Sequence, residues 1–183
     1  MSDEMLHLAI ATTWDGEHAA RNETASIALG FDDGDLVVEV DAAFHGDPPP
    51  SGAPGPTPGL WELEVVELFV LGASLDGEPR YTEIELSPHG HHLVLRLHGV
   101  RRPIATVLPL RFDARIAGPR WAGIARLDRS LLPPPPYRVN AYAVHGEGDS
   151  RRHLAHAPVL GERPDFHRLG SFVPIEIPDI GGK

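Results

Sequence analysis

The sequence predicts an all-β protein, an antiparallel β-sandwich with one or two short helical turns. Three observations carry this. Many short segments alternate apolar and polar residues at period two. Turn-forming residues and Gly/Pro clusters separate them. No stretch of useful length carries a helical period.

The elements follow in order. Residues 25–31 and 36–41 flank Asp32-Asp33-Gly34-Asp35 and read as a hairpin. Residues 46–59 hold six prolines and read as a long loop inside the domain rather than a linker. The strand pair before that loop could not fold alone. Residues 64–71 form a strand with apolar side chains on both faces, the mark of a strand covered on both sides. Residues 80–86 alternate, with Thr82, Ile84 and Leu86 on one side and Tyr81, Glu83 and Glu85 on the other. Ser87-Pro88-His89-Gly90 then turns the chain into a strand over 91–98. Further strands are expected at 109–116, 121–127, 137–144 and 171–177. One helical turn over 128–132 is stopped by Pro133 to Pro136.

Length and composition bound the function. The 183 residues fit a single domain, 1–183, and 42% hydrophobic with 23% charged residues is ordinary globular usage. The net charge of −10 argues against nucleic acid or an anionic membrane surface as partner. No run reaches the roughly 18 apolar residues of a membrane helix. The N-terminal Met1-Ser2-Asp3-Glu4 is acidic and leads into no secretory apolar core, so the expected compartment is the cytoplasm. With no cysteine, zinc ribbons and thiol nucleophiles are excluded.

The strand over 64–71 holds the most informative residue. Glu67 lies between Val65 and Phe69 in an otherwise apolar row, where a carboxylate needs a partner or a proton. If the next two strands are antiparallel neighbours, Tyr81, Glu83, Glu85 and Arg96 share the face of Glu67. The expected site is a polar platform that binds a small-molecule or saccharide ligand. Glu67, Glu83, Arg96 and Asn140 hydrogen-bond hydroxyls, Trp61, Tyr81 or Tyr142 stack, and His145 and His167 lie nearby. Arg96 is the expected counter-charge for Glu67. Pro88-His89-Gly90-His91-His92 resembles a metal-binding tract, but its glycine signals a turn and no spaced ligand signature occurs. No metal, cofactor or catalytic residue is therefore expected. The alternative is a metal-dependent enzyme using His89, His145 or His167 with a glutamate of the same face. A third reading makes the Pro-rich loop a surface for a protein partner.

Two resemblances extend this. Thr13-Trp14-Asp15-Gly16, Phe44-His45-Gly46-Asp47-Pro48-Pro49, Leu60-Trp61, Glu64-Val65-Val66-Glu67 and Glu83-Ile84-Glu85-Leu86 resemble an uncharacterised protein family shared by bacteria and animals. Pro88-His89-Gly90, Val144-His145-Gly146 and Arg163-Pro164-Asp165-Phe166-His167 belong to the same pattern. More distantly, Trp61, Glu64, Val66, Glu67 and Phe69 resemble the W-x-x-[DE]-x-V-E-x-F stretch of family 9 carbohydrate-binding modules. The segments 81–90, 121–132 and 139–142 and the closing Phe166-His167 continue that likeness. It implies a sandwich that holds sugar on one sheet face or its rim. The chain departs from those modules at Ala143, where arginine is frequent, at Gly123, where an acid is frequent, and at 155–157, which lacks the usual tryptophan.

Overall fold

The computed structural model describes residues 5–181. The acidic N-terminal stretch 1–4 read above lies outside them. In chain order the first strands are β1 (Leu6–Ile10), β2 (Thr12–Thr13), β3 (Ala25–Asp32), β4 (Asp35–Ala43), β5 (Val65–Leu71), β6 (Arg80–Leu86) and β7 (His92–His98). The remaining six are β8 (Pro103–Ala105), β9 (Arg111–Ala117), β10 (Arg120–Asp128), β11 (Tyr137–His145), β12 (Arg152–Ala155) and β13 (Val173–Ile175). Helix is confined to short 3₁₀ turns such as Leu60–Glu62 and Arg129–Leu131. In the second, the Asp128 side chain accepts from the Ser130 N–H at 2.8 Å, an N-terminal cap on the turn that the sequence predicts.

Two sheets form, in the orders β1-β3-β4-β10-β9 and β2-β12-β11-β5-β6-β7-β8, with β13 pairing the start of β11. All the ladders between these strands are antiparallel. The first sheet turns Ile27, Leu29, Val38, Val40, Ala125 and Leu127 inward. They meet Val66, Leu68, Val70, Ile84, Leu86, Val94 and Ala141 of the second. Strand β10 shows the expected alternation, buried at Trp121, Ala125 and Leu127 and exposed at Ala122 and Ile124. Gly123 faces the same interior, where a Cβ would come within 2.7 Å of the Phe112 ring, so no acidic side chain fits there.

The second sheet is covered on its outer face as well, as the doubly apolar β5 requires. Phe69, Tyr81, Tyr142, Val159 and Phe172 form one outer cluster, and Leu60, Val65, Leu93 and Val144 another. The Pro-rich loop is tied down at both ends. Glu64 accepts from the His45 N–H at 2.8 Å and the Asp47 N–H at 3.1 Å, and Asp47 accepts from the Gly146 N–H at 2.6 Å. Further on, Thr57 donates its N–H to His92 and His92 donates to Gly55. The loop thus delivers Leu60 and Trp61 to the outer face of the second sheet.

Candidate functional site

Register decides which side chains share the outer face. In a ladder, residues directly opposite point to the same side. Tyr142 pairs with Glu67, Glu67 with Glu85, and Glu85 with Leu93. One row on, Asn140 pairs with Phe69, Phe69 with Glu83, and Glu83 with Leu95. The expected gathering of Glu67, Tyr81, Glu83, Glu85, Asn140 and Tyr142 on one face is therefore present.

A cavity of about 820 Å³ opens on this face. Glu67, Phe69, Glu83, Leu95 and Leu97 form its floor, and Val144, His153, Phe166 and His167 stand on one flank. Trp61, Glu62, Arg101, Glu147, Arg151 and Asp165 complete the lining. Trp61 is 46% exposed. Arg151 holds the backbone beneath it, donating from Nη2 to the Trp61 carbonyl at 2.7 Å and from Nη1 to the Glu62 carbonyl at 2.7 Å.

The three glutamates are buried and mutually repelling. Desolvation, then the charges of Glu67 and Glu83, push the Glu85 carboxyl up to about 11. Desolvation raises Glu83 to about 7, and the neighbouring Glu85 carboxyl and the Arg101 charge oppose the rise. Glu67 is raised well above the ordinary carboxyl range by desolvation and by Glu83, with Arg151 opposing. The stronger upward push on Glu85 makes it the member of the pair that keeps its proton. Glu83 Oε2 has no hydrogen-bond partner among the described residues.

A second chain of groups fixes His167. The Arg101 N–H donates to the Tyr81 hydroxyl at 2.9 Å, and that hydroxyl lies 2.7 Å from His167 Nδ1. With the Arg101 N–H on the tyrosine oxygen, the hydroxyl proton points to Nδ1, which assigns the imidazole proton to Nε2. Burial, then the Arg101 charge, lowers His167 to about 4, so the ring is neutral at pH 7. Asp165 holds both partners, accepting from the Arg101 guanidinium and from the His167 N–H. Arg101 adopts φ +58°, the left-handed region that a bulky residue occupies only under tertiary constraint.

Several expected site residues take other places. Arg96 pairs with Thr82 across β6 and β7 and so lies on the opposite side of the sheet from Glu67. It cannot be the counter-charge of Glu67; Arg151 acts on Glu67 from the rim, and Arg101 acts on Glu83. His145 also points to the opposite side from Val144, stacking on His45 at 3.4 Å with its Nε2 3.4 Å from Glu23. Asn140 is on the right face but is used structurally: it donates to the Ala157 carbonyl at 2.9 Å and accepts from the Ala141 and Ala157 N–H groups. Tyr142 is covered by Phe166, whose ring stacks on it at 3.8 Å, so Phe166 is the aromatic wall. Tyr81 acts through His167 rather than by stacking, being 1% exposed. Trp61, Glu67, Glu83 and His167 do line the cavity. Among the described residues no three His, Asp or Glu side chains gather where a metal ion could sit. Nor does any helix of the described residues have the length and apolarity to cross a membrane.

Sequence reasoning missed Arg101, Arg151 and Asp165 as site residues. Asp165 alone had a signal, its neighbourhood with Phe166 and His167 in the Arg163-Pro164-Asp165-Phe166-His167 run. The arginines stand in turns, where alternation assigns no face.

Sandwich, register and outer-face cavity together define a fold of the family 9 carbohydrate-binding-module type. A protein of Bacteroides uniformis to which carbohydrate binding has been ascribed superposes at TM-score 0.70, with 17% identity, over 93% of this chain and 85% of that one. A family 9 module of Caldicellulosiruptor kristjanssonii in complex with cellotriose superposes at 0.54, with 13% identity, over 96% and 82%. The chain belongs to the UPF0462 (C4orf33) family: it is 40% identical over 182 residues to the mouse protein, covering 95% of this chain and 93% of that one. The human protein is 40% identical over 171 residues, covering 89% and 84%. No family model matches the chain.

Proposed function

We propose that this protein is a non-catalytic binding domain that holds a saccharide or similar polyol in the outer-face cavity. The observation that carries this is the cavity's donor and acceptor pattern. Glu67 and Glu83 present carboxyl oxygens without protein donors, and His167 presents Nε2–H beside them. A polyol supplies both halves of such a pattern, since each hydroxyl donates one hydrogen bond and accepts others. Trp61, exposed beside the polar floor, is the stacking surface for the apolar face of a sugar ring. That neighbours of this fold are carbohydrate-binding proteins supports the reading. The domain extends over 1–183 and works in the cytoplasm without a metal or cofactor.

The roles divide by chemistry. Glu67 and Glu83 accept from hydroxyls, His167 donates, and Tyr81 with Asp165 fixes the tautomer and position of His167. Arg151 holds the Trp61 turn against the cavity. A thermal-shift screen with glucose, galactose and short glucans tests this. Ligand at 100 times its dissociation constant adds about 2.7 kcal/mol and raises the melting midpoint. The gain should vanish in Glu67→Gln and shrink in Trp61→Ala. No shift with any saccharide, or an undiminished shift in both variants, contradicts the proposal.

A further inference from the structure

The cavity is lined by more carboxyl groups than guanidinium groups. Glu67, Glu83, Glu62, Glu147 and Asp165 line it, with Glu85 directly behind. Among the described residues two arginines line the cavity with them, and both guanidinium groups are already engaged. Arg101 donates to Asp165, and Arg151 donates to the carbonyls of Trp61, Glu62 and Gly146. His167 is held neutral by burial and by Arg101. Glu83, 4% exposed, leaves Oε2 without a donor, and Glu67, 3% exposed, has no hydrogen-bond partner among the described residues.

A neutral hydroxyl would give those oxygens donors but no charge. A primary ammonium gives three donors and a positive charge that draws the Glu67 and Glu83 carboxyls into their ionised form, and charge-assisted hydrogen bonds are roughly twice as strong as neutral ones. The aromatic walls Trp61 and Phe166 favour a cation as well. Resting on the saccharide reading above, we infer that the preferred ligand is an amino sugar, or a similar polyol bearing a protonated primary amine, with the ammonium seated between Glu67 and Glu83.

The test is calorimetric titration at pH 7 with glucosamine, N-acetylglucosamine and glucose. Acetylation keeps the ring and removes the charge. Glucosamine should bind at least about tenfold more tightly than either neutral sugar, the worth of one charge-assisted hydrogen bond. Glu83→Gln should bring the ratio of glucosamine to glucose affinity down to about one, whatever the change in glucose affinity itself. Glu83→Met, a neutral side chain of similar length, offers the same ratio should the first variant fail to fold. Equal binding of all three sugars overturns the amine assignment and leaves the saccharide reading standing. A glucosamine preference that survives both substitutions overturns the placement of the ammonium. Binding of none of the three overturns both readings.

Discussion

Glu83 sits two residues from Glu85 on β6 and carries a pKa near 7 inside the fold against an ordinary 4.5. A carboxyl raised on folding stabilises the native state fully below the unfolded value. That contribution is lost as pH rises through the folded value. At about 1.4 kcal/mol per pKa unit, the loss between pH 5 and pH 8 is on the order of 3 kcal/mol. Glu67 and Glu85, also raised, act in the same direction, while His167 and His145, lowered to about 4 by burial, act oppositely as pH rises from 5 toward their ordinary 6.5. The histidine contributions are common to the unaltered protein and Glu83→Gln, so the difference between their melting temperatures should move in favour of the variant from pH 5 to pH 8, because an amide never ionises. A pH series of thermal melts on both proteins checks this; parallel slopes would contradict it. Tyr81→Phe leaves the Arg101 N–H and His167 Nδ1 unpaired, at a cost of about 1–3 kcal/mol in denaturant midpoint at unchanged m-value. Saccharide affinity should fall with it, since His167 loses the bond that sets its tautomer. At this scale Glu67 was legible in the sequence, because a lone acid between Val65 and Phe69 on a doubly apolar strand breaks its own pattern.

The elements explain why Arg96 was misplaced. Alternation along β7 separates Leu93, Leu95 and Leu97 from His92, Val94 and Arg96, but parity alone does not say which set faces out. The set containing Arg96 carries Val94, which belongs in the core between the sheets, and the leucine row carries the outer clusters. Matching polar row to polar row across β6 and β7 would turn Arg96 outward; the second sheet, covered on both faces, breaks that rule. Strands β1, β2, β8 and β12 also went unread, being short or weakly alternating and fixed by their long-range partners. The entrance of the Pro-rich loop is anchored by Glu64. Burial raises its pKa, yet it accepts two backbone N–H groups from the loop entrance. Glu64→Ala strands both donors and should cost about 1–3 kcal/mol. Limited proteolysis should then cut within 46–59, where the unaltered protein resists. Cleavage there at equal rates in both would remove Glu64 as the anchor.

For the molecule as a whole, the fold class could be read from period-two patterning because each sheet buries at least one alternate row. Leu68, 1% exposed between the sheets, represents that shared core, and Leu68→Ala should cost about 2–5 kcal/mol in equilibrium unfolding. The cavity could not be read in the same way. It depends on the segments 60–63, 99–103, 146–153 and 164–167 converging from loops over one face, and loops carry no periodicity. The central claim is that a saccharide enters this cavity and meets Trp61. The most direct measurement follows the tryptophan indole N–H signals by heteronuclear NMR during a saccharide titration. Trp61, beside the floor glutamates, should shift with saturation, while Trp121, 2% exposed in the core, should stay in place. A Trp61 signal that stays fixed while bound saccharide perturbs residues elsewhere, or no response from any residue, would contradict the account.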